Sequence, residues 1–234
     1  MADTKVAVVT AAGSGIGEAC SRRLDEDGYT PVLLSRSGSA VAVANELGGD
    51  GFEDSVTDPD DLAALVETTD ERYGRIDAVV NNTGHPASGD LLGLSDEEWH
   101  EGLDLVLLNT VRMARLVTPI MAEQDRGSIV NISTFSAFEP SSEFPVSSVL
   151  RGGLGSFTKL YADRYAATGI RMNTVQPGFV DSYEVDEETR ERIPMGRPAR
   201  TAEIADAVAY LLSPASSYVT GQNIRVDGSL TASV

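Results

Sequence analysis

The stretch Thr10-Ala11-Ala12-Gly13-Ser14-Gly15-Ile16-Gly17 follows a short apolar run, Lys5-Val6-Ala7-Val8-Val9, and opens a helical pattern. A strand that turns through closely spaced glycines into a helix brings bare backbone amides to one point. Glycine lets the backbone approach a pyrophosphate, and the helix N-terminus adds amide donors and positive potential. Thr10, Gly13, Ser14, Gly15, Ile16 and Gly17 are therefore the candidate cradle of a dinucleotide. A plain tight turn is the competing reading of the glycines alone; their place directly after the first strand favours the cradle.

Outward from this turn, short β-rich apolar runs alternate with helical patterns. The runs are Val6–Val9, Pro31–Leu34, Ala78–Val80, Ser128–Ile132, Arg171–Val175 and Asn223–Val226, with a weaker strand near Gly51–Ser55. They lack polar alternation, as strands covered by helices on both faces do. Asp58-Pro59 offers an N-cap with proline at the first helical position, and Ser95-Asp96-Glu97-Glu98 reads as a capping box. Leu62, Leu65 and Val66 share one helical face, as do Ile204, Val208, Leu211 and Leu212. The pattern predicts an α/β fold: one domain over residues 1–234, with a doubly wound parallel sheet of about seven strands flanked by helices.

Composition bounds the function classes. The chain has 234 residues, 41% of them hydrophobic, and a net charge of −18. Lys5 and Lys159 are the only lysines; the other 16 basic residues are arginines. Such a surface repels nucleic acid and anionic membranes, so neither is an expected partner. Adaptation to high salt, where screening relieves self-repulsion, and plain acidity are both open readings. No apolar run approaches the about 20 residues that span a bilayer. With one cysteine, Cys20, no intrachain disulfide forms, and a cytoplasmic location is the default expectation. No metal site is expected.

Five ordered motifs carry a resemblance. The Gly-rich turn is similar to Thr-Gly-x-x-x-Gly-x-Gly, with Ala11 at the first glycine. Asn81-Asn82-Thr83-Gly84 resembles Asn-Asn-Ala-Gly. Gly127 to Thr134 resembles a strand that ends at a catalytic serine. Gly169-Ile170-Arg171-Met172-Asn173 leads into Pro177-Gly178-Phe179-Val180, and Thr220-Gly221-Gln222 precedes Val226-Asp227-Gly228. Together these resemble the short-chain dehydrogenase/reductase family over almost the whole chain. The resemblance implies a Rossmann-type sheet and a nicotinamide dinucleotide lined by Asn82, Gly84, Pro177, Gly178, Val180 and Ser182. NAD-preferring relatives end the second strand with an acid; that place falls at Ser35, followed by Arg36. A hydroxyl beside a guanidinium suits a 2′-phosphate, so NADP(H) is favoured over NAD(H). Ser55-Val56 stands where relatives place Asp-Val against the adenine.

The resemblance also locates the chemistry. Counts from Gly169 and from Thr134 both put the family's tyrosine position at Ser147 and its lysine position at Arg151. The serine position is Thr134, and the asparagine position is Val106, with Asn109 one helical turn on. A phenol titrates near about 10 and is pulled toward neutrality with ease; a serine hydroxyl is shorter and far more basic. Arg151 can hold a ribose or a phosphate but cannot relay a proton. His85 is the alternative proton source because its range suits acid/base work, and Tyr183 opens a substrate loop over residues 183–197. Tyr161 and Tyr165 lie too far along one helix and belong to packing or to an oligomer interface. Glu139 and Glu143 fall at the pocket rim.

The expected catalytic set is therefore Thr134, Ser147, Arg151 and His85, acting on a small-molecule carbonyl or alcohol. A non-catalytic dinucleotide-binding protein, a sensor or partner subunit, is the alternative, and a purely structural subunit is the third reading. Relatives form tetramers through helices like the one expected over Ser147–Thr168 and segments like Thr220–Val234, so a homo-oligomer, tetramer or dimer, is implied.

Overall fold

The computed structural model describes residues 4–233; positions 1–3 and 234, which the expected span 1–234 and the segment Thr220–Val234 include, lie outside them. Seven parallel strands form one sheet in the order β3-β2-β1-β4-β5-β6-β7. They are β1 (Lys5–Thr10), β2 (Tyr29–Ser35), β3 (Asp50–Glu53), β4 (Ala78–Asn81), β5 (Gly127–Ile132), β6 (Ile170–Pro177) and β7 (Asn223–Val226). The order reverses between β1 and β4, which are paired directly. At such a switch point a crevice opens beyond the strands' carboxyl ends. This is the doubly wound Rossmann-type arrangement expected from the sequence. One strand end differs: β3 stops at Glu53, because the amide of Ser55 turns to the Asp61 carboxylate at 2.9 Å.

The helices are α1 (Gly15–Glu26), α2 (Ser39–Leu47), α3 (Pro59–Tyr73), α4 (Asp96–Leu103), α5 (Asn109–Glu123), α6 (Pro145–Tyr165), α7 (Glu187–Arg192) and α8 (Thr201–Leu212). The predicted start signals act as stated. Asp58 accepts from the amide of Asp60 with Pro59 at the first position of α3, and Ser95 and Glu98 form the reciprocal capping box of α4. The helices cover both sheet faces with two apolar layers. One joins Val9, Leu33 and Val130 to Ile204, Val208, Leu211 and Leu212 of α8; the other joins Val8, Val32 and Ile129 to Leu62, Leu65 and Val66 of α3.

A π-helical turn, Asp104–Leu108, links α4 to α5, so Asp96–Glu123 runs as one helical rod of 28 residues. Its most apolar window has mean hydropathy 1.3, enough by length and composition to cross a membrane, which no single apolar run in the sequence suggests. Met113, Ala114, Val117 and Met121 spend that apolarity on the sheet. The rod is a core helix of the fold.

Candidate active site

The site begins where β1 stops. Thr10 is buried and ties its strand to β4: its hydroxyl donates to the carbonyl of Asn82 at 2.6 Å and accepts from the amide of Asn82 at 3.0 Å. The next residue, Ala11, sits in the left-handed region at φ 46°, a conformation that disfavours any Cβ. Its carbonyl accepts from the Asn82 side chain at 3.2 Å. Gly17 packs against this corner. A Cβ on Gly17 would lie 2.2 Å from the Ala11 oxygen and 2.9 Å from Asn82 Nδ2. Ser14 precedes α1 in extended conformation and gives it no side-chain cap. The first amides of α1 are thus left for a ligand, and Ser14, Gly15 and Ile16 line the wall of a cavity of about 610 Å³. That volume lies within the about 300–1,000 Å³ of cofactor and ligand sites. An uncapped helix start beside glycines on such a cavity fits a dinucleotide phosphate.

The same cavity gathers residues from four further segments. Asn82, Thr83, Gly84 and His85 follow β4; Ser133, Thr134 and Phe135 follow β5; Ser147 and Arg151 come from the first turns of α6; Pro177, Gly178, Val180 and Ser182 follow β6. All four expected catalytic residues, Thr134, Ser147, Arg151 and His85, therefore face one space. Of the expected cofactor residues, Thr10, Gly13, Gly17, Ser35 and Arg36 stand outside its wall. Ser35 is engaged elsewhere: its hydroxyl donates to the Ser37 carbonyl at 2.6 Å and accepts from the Ala40 amide at 3.1 Å. It builds the turn into α2, while Arg36 is exposed.

Val106 and Asn109 do not line the cavity. Val106 is buried within the π turn. The Asn109 amide is satisfied along its own helix, donating to the Leu105 carbonyl at 2.7 Å and accepting from Thr110 Oγ1 at 2.9 Å. Tyr161 packs against α5, its hydroxyl 2.6 Å from that of Thr118, and its ring stacks 4.6 Å from Tyr165. Glu139 is not a rim charge of this cavity; it accepts from the amides of Ala232 and Ser233 near the C-terminus. Glu143 lies outside the wall as well, paired with Arg192.

Arg151 dominates the electrostatics. It is 4% exposed, and its guanidinium donates to the carbonyls of Ile132 at 2.5 Å and Gly84 at 3.2 Å. Burial pushes its pKa down to about 10, which leaves it charged at neutral pH. Among the described residues no carboxylate pairs with it. The imidazole of His85 sits at the cavity mouth, edge-on to Tyr183 with ring centroids 5.2 Å apart. Desolvation, and next the positive Arg151, hold its pKa below the usual value of 6.5. His85 is therefore neutral at neutral pH.

Sequence reasoning missed two features. Phe135 stands between Phe144 and Phe179, with centroids 6.5 and 5.4 Å away, and forms an aromatic wall of the cavity. A buried polar ladder fixes α6 to the sheet: Asn81 donates to Asn131 at 2.9 Å, Asn131 to Thr158 at 3.0 Å, and Thr158 meets Thr174 at 2.8 Å. The only signal in the sequence is the presence of polar residues inside apolar strands.

Residues 181–199 cover one side of the cavity. Val180 and Ala199 form an isolated parallel bridge, which fastens the segment at its base. Tyr183, Glu184, Val185, Asp186 and Thr189 turn toward the space. Hydroxyls, one buried cation and a mostly apolar wall can bind and polarise a small carbonyl compound next to a nucleotide.

Comparison with known proteins agrees. The profile of the family described as Enoyl-(Acyl carrier protein) reductase matches residues 10–231. The chain is 34% identical to the 3-oxoacyl-(acyl-carrier-protein) reductase FabG of Thermotoga maritima, with 97% of each covered. It is 32% identical to the FabG of Vibrio harveyi, again over 97% of each, and 32% identical to that of Staphylococcus aureus, over 97% of this chain and 98% of the relative. A nucleotide-binding turn at the switch point of a seven-stranded parallel sheet, and likeness over nearly the full length, give one conclusion: the chain belongs to the short-chain dehydrogenase/reductase family of nicotinamide-dinucleotide oxidoreductases.

Proposed function

We propose that the chain is an NADP(H)-dependent carbonyl reductase or alcohol dehydrogenase whose proton-transfer centre is substituted. The observation that carries this reading is one cavity holding both the uncapped start of α1 and the hydroxyls of Thr134 and Ser147. When bound, the cofactor supplies or accepts a hydride. Ser14, Gly15 and Ile16 hold its diphosphate through backbone amides, with Ser182 across the mouth. Arg36, exposed at the end of β2, meets the 2′-phosphate; with Ser35 committed to its turn, the preference rests on this one cation. Asn82, Gly84, Pro177, Gly178 and Val180 flank the nicotinamide.

Thr134 donates its hydroxyl to the substrate carbonyl. Val106, Ser147 and Arg151 stand where relatives carry asparagine, tyrosine and lysine. In reduction the alkoxide takes its proton along a water held by Ser147, replenished from solvent, or from His85, which regains it from solvent. In oxidation His85, neutral at neutral pH, accepts the proton of the alcohol. Arg151 stabilises the developing alkoxide by its charge, in a cavity where water screens little. Residues 183–197 form the substrate loop, and the protein acts in the cytoplasm as a homo-oligomer on a small-molecule substrate.

The test is direct: the purified protein is mixed with NADPH and a panel of ketones and aldehydes while the reduced nicotinamide absorbance is followed. Loss of absorbance with at least one of them is expected. A folded protein that binds NADPH and never oxidises it contradicts the reading.

A further inference from the structure

Arg151 is an anomaly that hydride transfer alone does not explain. A buried ion costs several kcal/mol unless it is paired. Two carbonyl oxygens are weak compensation for a full charge, and a guanidinium has five N–H donors. Those two carbonyls belong to Gly84, in the segment that follows β4, and to Ile132, the last residue of the neighbouring β5. Each has a neighbour with an unsatisfied hydroxyl. Thr83 Oγ1 and Ser133 Oγ are both buried without a hydrogen-bond partner, and both residues line the cavity. A cation with no carboxylate partner and two hydroxyls with no partner, all on residues of one cavity lining, make a set that lacks an anion.

We infer that Arg151, with the hydroxyls of Thr83 and Ser133, holds a carboxylate carried by the substrate, so that the compound reduced here is a keto acid. This rests on the reading above and names its substrate class. In the reaction the carbonyl carbon gains a hydride from the reduced nicotinamide, the carbonyl oxygen gains a proton from water, and the carboxylate is unchanged. The other charged groups on the wall do not compete. Glu184 and Asp186 are exposed, and Asp186 already accepts from the amide of Thr189 at 2.8 Å. His85 is neutral. A 3-oxo acid would also match the carbonyl position that the named relatives reduce in 3-oxoacyl groups, with the free acid in place of the carrier-bound one.

Calorimetric titration with acetoacetate and with its uncharged analogue acetoacetamide, in chloride-free buffer without cofactor, tests the inference. The acid is expected to bind at least about tenfold tighter than the amide, as hydrogen bonds to a charged group allow. That preference should fall below about twofold in Arg151→Met and persist in Arg151→Lys. Equal binding of acid and amide, or a preference that survives Arg151→Met, overturns it. If Arg151→Met does not fold, the double variant Thr83→Val/Ser133→Ala decides: the acid should weaken several-fold and the amide should not, and unchanged acid binding contradicts the assignment. The cofactor reading fails separately. NADPH that does not bind sinks the proposed function and leaves the acid–amide difference standing.

Discussion

Two walls of one cavity are made in different ways. The wall from β1 and α1 is backbone: amides of a helix start, a left-handed Ala11, and a glycine whose replacement would strike the Ala11 carbonyl. The wall from β4, β5 and α6 is side chain: His85, Thr134, Ser147 and Arg151. A backbone site is bound to the fold, since changing it disturbs the corner where α1 meets Ala11 and Asn82. A side-chain site can be rewritten while the sheet, the polar ladder under α6 and the cavity all persist. The difference would let a nucleotide-binding turn persist beside the substituted proton-transfer centre proposed above.

The largest way to sharpen this contrast is to rewrite the second wall. Val106→Asn/Ser147→Tyr/Arg151→Lys should raise turnover of NADPH with simple ketones by about 100-fold or more, the range a placed general acid supplies. Stopped or steady-state absorbance kinetics would measure it; turnover no higher than the natural chain's would argue that the cavity cannot host the phenol. Breaking the first wall acts on binding instead. Gly17→Val places a Cβ against the Ala11 oxygen, and a clash of that kind costs about 3 kcal/mol. NADPH affinity should fall about 100-fold, whereas Arg151→Met should leave it within about tenfold. Arg36→Ala is milder: NADPH should weaken about tenfold and NADH should not change, as expected for one charge-assisted contact.

Smaller effects fall on stability. Ala11→Gly relieves the left-handed strain and should raise the unfolding free energy by about 0.5–1 kcal/mol in denaturant titration, offset in part by unfolded-state entropy. A destabilised Ala11→Gly would mean that the corner is held by something other than backbone strain. His85 gives a pH signature. Its folded pKa lies below 6.5, so the unfolded chain takes up the proton first as pH falls. Stability from this group is therefore complete above 6.5 and is lost as pH drops through the window beneath it. His85→Gln should flatten that slope slightly, since the ring at the cavity mouth is solvent-accessible.

Much of this was legible in the sequence because the signals are local. Val6–Val9 and Ala78–Val80 lie inside strands, Ser95 and Glu98 cap their helix, and the glycine spacing marks the switch point. What the sequence hides is long-range pairing. Glu139 reads as a rim charge until amides more than 90 residues later claim it. Asn81, Asn131 and Thr158 read as unexplained polar residues until the sheet and α6 bring them together. Ser35 reads as a phosphate contact until the turn into α2 takes its hydroxyl. Arg151 reads as a ribose contact, and only its burial without a counter-ion points to a substrate carboxylate.

The most direct test of the central claim is a calorimetric titration of the purified protein with NADPH, with NADH as control, at low and high salt. The account predicts micromolar NADPH binding and clearly weaker NADH binding. Binding of neither would make the α1 turn inherited scaffold and contradict it.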